Sequence, residues 1–434
     1  MAATSSTDTP RIFPILLVNF IGTLGYSLLL PFLVILVTKF KGDEVVYGVL
    51  GATYSLFQFV GAPILGKWSD RVGRRRVLLL SQGGTFLAWI LFLVALLLPI
   101  RDIAQVGTAI LTLPLIVLFL ARALDGITGG NVSVANAYLA DISTDATRQK
   151  NFGQMGAAAH LGFIAGPILA GLLGATAWEE ILPVIGAMVI SFTAILVIAF
   201  RLPESNPNAI KKPAPSQNIN KSHGQDHKDC HKLEGESRLS TRRILALPNV
   251  GFVLLFYFLI ILAFNFFYVS FPMMAVRGFA WSTFELGIFF SIYGGILVLT
   301  EGPLLSRLSK RYSEGQLVPV GLVLLAAAFA LLATGKVLTV AIGAGILATG
   351  NSIAWPSFLS FLSKVAGAKY QGAVQGQASS MGSLAAIIGL VIGGIVYANL
   401  GPYTFLIPSS LMVILIVLSV RLRRVDRDLN TARG

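Results

Sequence analysis

Charge is scarce in this chain. Lys, Arg, Asp and Glu make up 12% of its 434 residues, hydrophobic residues make up 55%, and mean hydropathy is +0.77. A soluble domain of this length carries about 25% charged residues, so the composition reads as an integral membrane protein. Cysteine is nearly absent, and the single Cys230 excludes a disulfide within a monomer. No Gly-rich loop ending in Gly-Lys-Ser or Gly-Lys-Thr occurs, so nothing points to a nucleotide-binding domain. The alternation of polar and apolar residues that marks a transmembrane barrel is also missing. Helices, which satisfy every backbone donor and acceptor within their own segment, are therefore the spanning elements.

What the chain has instead is apolar runs of about 20 residues, the length that crosses about 30 Å of hydrocarbon as helix. Approximate spans are 12–38, 45–66, 77–99, 110–139, 151–175 and 181–201, then 248–271, 284–306, 316–335, 338–363, 373–398 and 402–421. The expected fold is all-α, with twelve transmembrane helices in two six-helix bundles. The bundles take residues 1–202 and 248–434, and a polar insert of 203–247 joins them. The insert is rich in Pro, Asn, Lys, Ser and His, and cannot bury enough surface to offset its ordering entropy, so it reads as a flexible cytoplasmic linker. His223, His227, Cys230 and His231 within it are of metal-ligand type. Polar linkers commonly collect histidines, and no metal or other cofactor is assigned. Its lysines could equally meet anionic lipid heads.

The net charge of +13 could suggest nucleic acid, but its distribution decides against that. With the N-terminus in the cytoplasm, roughly 27 of the 33 basic residues fall inside and about 5 outside. The charge then sets topology, with both termini cytoplasmic. Met1 to Pro10 is polar and the first apolar run is long enough to span, so no cleavable signal is expected.

Between the second and third spans lies Gly66-Lys67-Trp68-Ser69-Asp70-Arg71-Val72-Gly73-Arg74-Arg75-Arg76, which reads as a tight basic hairpin. Its glycines allow a sharp turn, and Asp70 can bind a helix N-terminus or pair with a neighbouring arginine. The segment from Pro63 to Arg71 is echoed without a gap by Pro303 to Arg311, where Lys310 stands in place of Asp70. Gly130-Asn131 is echoed by Gly350-Asn351. Internal duplication of a six-helix unit marks secondary transporters that handle substrate near the midplane between the repeats.

Ionisable residues inside the membrane are costly and are functional candidates by default. Arg122 and Asp125 lie three apart on one helix face, either as a proton-coupling pair or as a static neutralising one. Glu301 is the next candidate, although it could pair with Arg307 or Arg311 at the interface. His160 follows, as a proton-exchanging group or a packed polar residue. Cavity candidates are Asn19, Tyr26, Gln58, Asn131, Asn136, Asn265, Tyr268, Tyr293, Asn351, Trp355, Gln375 and Gln377, some of which are expected to bond between helices instead. Such a lining suits a lipophilic or amphipathic small molecule.

Taken together, these segments resemble the major facilitator superfamily, and within it the twelve-helix drug/proton antiporters that include tetracycline efflux proteins. Gly66, Asp70, Arg71, Gly73, Arg74 and Arg75 match the superfamily's loop between helices two and three. The run from Ala121 to Gly130 is similar to its fourth-helix motif. Gly162, Gly166, Pro167 and Gly171 resemble the antiporter motif of the fifth helix. The resemblance implies that the basic loop is a cytoplasmic gating latch, that the fifth helix seals one side, and that export exchanges substrate for protons by alternating access. The expected protein is not an enzyme. It acts as a monomer in the plasma (inner) membrane, with a small-molecule substrate, protons and the lipid bilayer as partners. One departure stands out, since Asn19 to Pro31 lacks the carboxylate that many drug antiporters carry there. A uniporter or importer of a sugar, lipid or metabolite would share the fold, and a non-transporting receptor is a further alternative.

Overall fold

The computed structural model describes residues 12–107, 109–129, 131–205 and 244–431. Most of the predicted linker, with His223, His227, Cys230 and His231, lies outside the described residues. Eleven continuous helical stretches are long and apolar enough to cross a membrane. The last runs for 56 residues and is broken at Gly401, where φ is +53°, so it makes two crossings and the helices number twelve.

In the first half these are α1 (Phe13–Lys39), α2 (Glu44–Val72), α3 (Arg74–Leu97), a fourth crossing built from α4 (Leu113–Thr128) and α5 (Asn131–Asp141), α6 (Asp145–Gly174) and α7 (Ile181–Arg201). The second half has α8 (Val250–Met273), α9 (Thr283–Leu299), α10 (Glu314–Leu332), the long α11 (Val337–Leu400) and α12 (Leu406–Thr431). Gly367, with φ +66°, bends α11 back on itself and divides it into two crossings. Local chemistry sets several starts. Asp43 accepts from the Val46 N–H at 2.8 Å to begin α2, and the Ser282 N–H donates to Glu285 at 2.8 Å in a capping box that begins α9.

Two sequence expectations are corrected. Residues 110–112 are not helical. They form β2 (Ala109–Thr112), paired antiparallel with β1 (Asp102–Val106) in a hairpin at the end away from the termini. The Lys41 ammonium, 3.1 Å from Asp102, and the Thr112 hydroxyl donating to Phe40 O at 3.1 Å hold it there. Second, the basic hairpin is mostly helix. Gly66 to Val72 are the last turns of α2, and the reversal is made at Gly73 alone, with φ +102°. The echoed segments, although alike in sequence, fold differently. Pro63 sits inside continuous α2, whereas Thr300–Leu305 around Pro303 is π-helical and the helix ends at Leu308. Ala62 precedes Pro63 but Gly302 precedes Pro303, and glycine before proline lets the backbone give way.

The apolar interior falls into two clusters. The larger fills the second half and the far end of the first, and the smaller lies at the terminal end of the first half around Leu65, Leu78, Tyr138 and Leu139. Polar residues occupy the space between them.

Candidate functional site

That space is a chamber of about 240 Å³ inside the first half, walled by Asn19, Gln58, Gln82, Thr85, Arg122, Asp125 and Ser191 among others. Its polar groups come from different helices and bond to one another. The buried Gln82 amide donates to Ser191 Oγ at 2.8 Å, the Thr85 hydroxyl donates to Asp125 Oδ1 at 2.9 Å, and the Gln58 amide donates to Tyr54 OH at 3.1 Å and to Gly129 O at 3.2 Å. Arg122 Nη1 lies 3.5 Å from Asp125 Oδ2, so the predicted pair faces as expected, but at a length that does not close a hydrogen bond. The guanidinium rests on the Tyr54 ring, 4.3 Å from its centroid.

A second cavity of about 510 Å³ adjoins this chamber and is shared by both halves. Tyr26, Tyr47, Tyr54, Gln58 and Arg122 line it from the first half, and Tyr257, Asn265, Tyr268, Ser379 and Ser383 from the second. Tyr26, Tyr54, Gln58 and Arg122 belong to both spaces, so they form the wall between them.

The halves meet at the end away from the termini. Gly287 of α9 packs on Pro167 and Gly171 of α6, and an added Cβ would sit 2.6 Å from Pro167 O. Gly394 of α11 packs on Glu44 and Gly48 of α2, where an added Cβ would sit 2.6 Å from Glu44 O. Backbones approach this closely only where side chains are missing. Arg277 crosses the same seam, with Nη1 2.7 Å from Glu44 Oε1 and Nη2 donating to Gly42 O at 2.9 Å. At the terminal end Arg74 ties to Asp141 within the first half and Lys364 to Glu314 within the second.

A family model described as Major Facilitator Superfamily matches residues 15–390 and again 253–433. The chain belongs to the major facilitator superfamily. The class E tetracycline resistance protein of Escherichia coli is 30% identical over 387 residues, covering 88% of this chain and 87% of that protein. Two solved structures share the fold. The human organic anion transporter MFSD10 has a TM-score of 0.64 at 21% identity, covering 94% of this chain and 98% of its own. A bacterial homologue of the human lysosomal transporter Spinster, in an inward-facing and unoccupied conformation, has a TM-score of 0.70 at 14% identity, covering 96% and 97%. The protein is thus a multi-pass membrane transporter of a small-molecule family.

Within this transporter the other predicted residues sort by position. Asn19 lines the chamber and also ties α1 to α6, its amide donating to Met155 O at 2.9 Å. Asn265 lines the central cavity while donating to Ile261 O at 2.8 Å. Tyr293 is buried in the aromatic core, and Trp355 stands one layer behind the cavity, 5.4 Å from the Tyr257 ring. Asn351, Gln375, Gln377 and the exposed Asn136 line neither space, and the Asn131 side chain lies outside the described residues. His160 is exposed on α6 and lines neither space. Glu301 lines a separate cleft at the terminal end, and among the described residues it has no ion pair with Arg307 or Arg311.

The antiporter motif divides its work. Gly162 and Gly166 face α1, where a Cβ on Gly162 would lie 2.5 Å from Phe20 O and where Ser27 Oγ donates to Gly162 O at 3.0 Å. Pro167 and Gly171 face the second half. The basic motif instead fastens first-half elements together. Arg74 reaches Asp70 at 2.7 Å, Asp141 at 3.1 Å and Ser69 Oγ at 2.6 Å. Arg75 donates to Ile198 O and Ala199 O at the end of α7, while Glu204 accepts from the backbone N–H groups of Arg74 and Arg75 and caps α3. Gly66 and the exposed Arg71 complete the turn.

The polar or aromatic site residues missed in the sequence include Tyr54, Gln82, Thr85, Ser191 and Tyr257, with Tyr47, Ser379 and Ser383 of the central cavity. A signal existed for three of them. Tyr54 lies one turn before Gln58, and Thr85 follows Gln82 by three in an apolar run, so each shares a helix face with another polar residue.

Proposed function

We propose that this transporter exports a small lipophilic or amphipathic compound in exchange for protons, by rocking its two six-helix bundles about the central cavity. The observation that carries the reading is the place of Arg122, in the wall between the polar chamber and the cavity, with Asp125 facing it from the chamber side. A proton on Asp125 removes the negative charge facing Arg122. The state of the chamber is thereby coupled to a guanidinium that the substrate space also meets. Glu301 and His160, which line neither space, are secondary candidates.

The excess of basic residues at the terminal end supports a cytoplasmic location for both termini, in a plasma (inner) membrane. The seam through Gly287, Gly394 and Arg277 then lies outside, and the cavity faces the cytoplasm in this structure. The basic motif from Gly66 to Arg75 acts as a latch that engages the second half only when the cytoplasmic end closes. The protein works as a monomer, since its cavity is complete within one chain.

The test is export itself. An efflux-deficient host carrying the gene is screened against a compound panel including tetracyclines, and any protected compound is followed into inside-out vesicles with an imposed pH gradient. Gradient-driven accumulation that collapses with a protonophore supports the reading, and accumulation indifferent to the gradient contradicts it.

A further inference from the structure

Arg122 is 4% exposed, yet its Nε and Nη1 have no hydrogen-bond partner among the described residues. A buried guanidinium whose ion pair, to Asp125, leaves two of its nitrogens without a hydrogen bond is costly and tends to be kept for a function. The contact with Asp125 at 3.5 Å leaves Nη1 unbonded, and the Tyr54 ring covers one face of the group without offering an in-plane acceptor. Asp125 lines only the chamber. Of the residues that line the central cavity, Arg122 is the one that carries a charge at neutral pH. The rest of that wall is aromatic or weakly polar, with Tyr26, Tyr54, Tyr257 and Tyr268 prominent.

We infer that the cargo is an aromatic organic anion, its carboxylate or similar group held by Arg122 and its ring system held by the cavity tyrosines. The planar donor fork of arginine matches a carboxylate, and charge-assisted bonds of this kind are about twice as strong as neutral ones. Tyr54 is a positioning residue, because its ring fixes the plane in which the fork is presented. The cavity volume of about 510 Å³ suits a ligand of drug-like size. A cationic compound would meet the wrong sign of charge, in keeping with the missing carboxylate between Asn19 and Pro31. The inference rests on the central cavity being the substrate site, as in the export reading, but needs no proton gradient.

Binding therefore tests it separately. Purified protein is titrated with aromatic monocarboxylates of one to four rings, each paired with its own primary carboxamide, and thermal stabilisation is read for each pair. At least one acid should bind about tenfold or more tightly than its amide in the wild type. That preference should vanish in Arg122→Gln and persist in weakened form in Arg122→Lys. No acid favoured over its amide in the wild type overturns the inference, whether or not the variants fold. A preference that survives Arg122→Gln at full size also overturns it. Acid binding without gradient-driven flux would sink the export reading alone.

Discussion

The two halves build different interiors from the same number of helices. The first is hollow, with a polar chamber separating its apolar layers, and it holds the Arg122–Asp125 pair. The second is filled by rings. Phe271 lies 4.1 Å from Phe289 and 5.3 Å from Phe267, and Phe256 stacks on Phe358 at 5.2 Å. In lipid the hydrophobic effect does not drive helices together, so each half needs another adhesive. Both use close glycine contacts, such as Gly162 on Phe20 in the first and Gly350 on Gly321 in the second; the second adds extensive ring packing, and the first adds interhelical side-chain hydrogen bonds such as Gln82 to Ser191. The two halves thus differ in what fills them, a polar chamber in the first and packed rings in the second, and under the export reading the first is the half that couples.

The largest effect that would sharpen this contrast comes from hollowing the second half. Phe271→Ala is expected to lower stability by on the order of 3 kcal/mol, read as a drop in the thermal unfolding midpoint in detergent. A drop no larger than that of a chamber substitution would break the comparison. Next, Gly287→Val places a methyl-bearing side chain against Pro167 O and should oppose closure of the seam by about 1–3 kcal/mol. Spin-label distances across α2 and α11, after replacement of Cys230, should lengthen at that end and transport should fall. In the chamber, Thr85→Val removes the hydrogen bond to Asp125. Its stability cost should stay near 1 kcal/mol, while transport falls several-fold, as expected of a half whose polar groups serve function more than packing. The smallest effect is at Arg277→Gln. The Arg277 side chain is 40% exposed, so its pair with Glu44 should contribute less than about 1 kcal/mol to the closed seam, seen as a modest change in the same distance distribution.

Much of this was legible in the sequence, for identifiable reasons. Helix spans show because lipid demands long apolar runs, and the Arg122–Asp125 pair shows because charges in such runs are rare. Gly162, Gly166, Pro167 and Gly171 were visible as a motif, but a one-dimensional spacing cannot tell that two of the glycines face α1 while Gly171 and Pro167 face α9. The hairpin at 102–112 was hidden because Ile110 and Leu111 are as apolar as the helix they precede. Of the cavity amides, Gln58 and Asn265 are in place while Gln375 and Gln377 are not, since in a helix apolar all round no period marks the face that looks inward. The echo at Pro303 does not extend to local shape, since Pro63 lies in α-helix while Pro303, which follows a glycine, lies in a π-helical stretch.

The central claim is that coupling belongs to the hollow half. Proteoliposomes with an imposed pH gradient, containing wild type, Asp125→Asn or Glu301→Gln at equal incorporation, test it most directly. The account predicts that Asp125→Asn loses uphill accumulation while still equilibrating substrate downhill, and that Glu301→Gln retains accumulation near wild type. Uphill accumulation at the wild-type rate by Asp125→Asn, or its loss in Glu301→Gln alone, would contradict it.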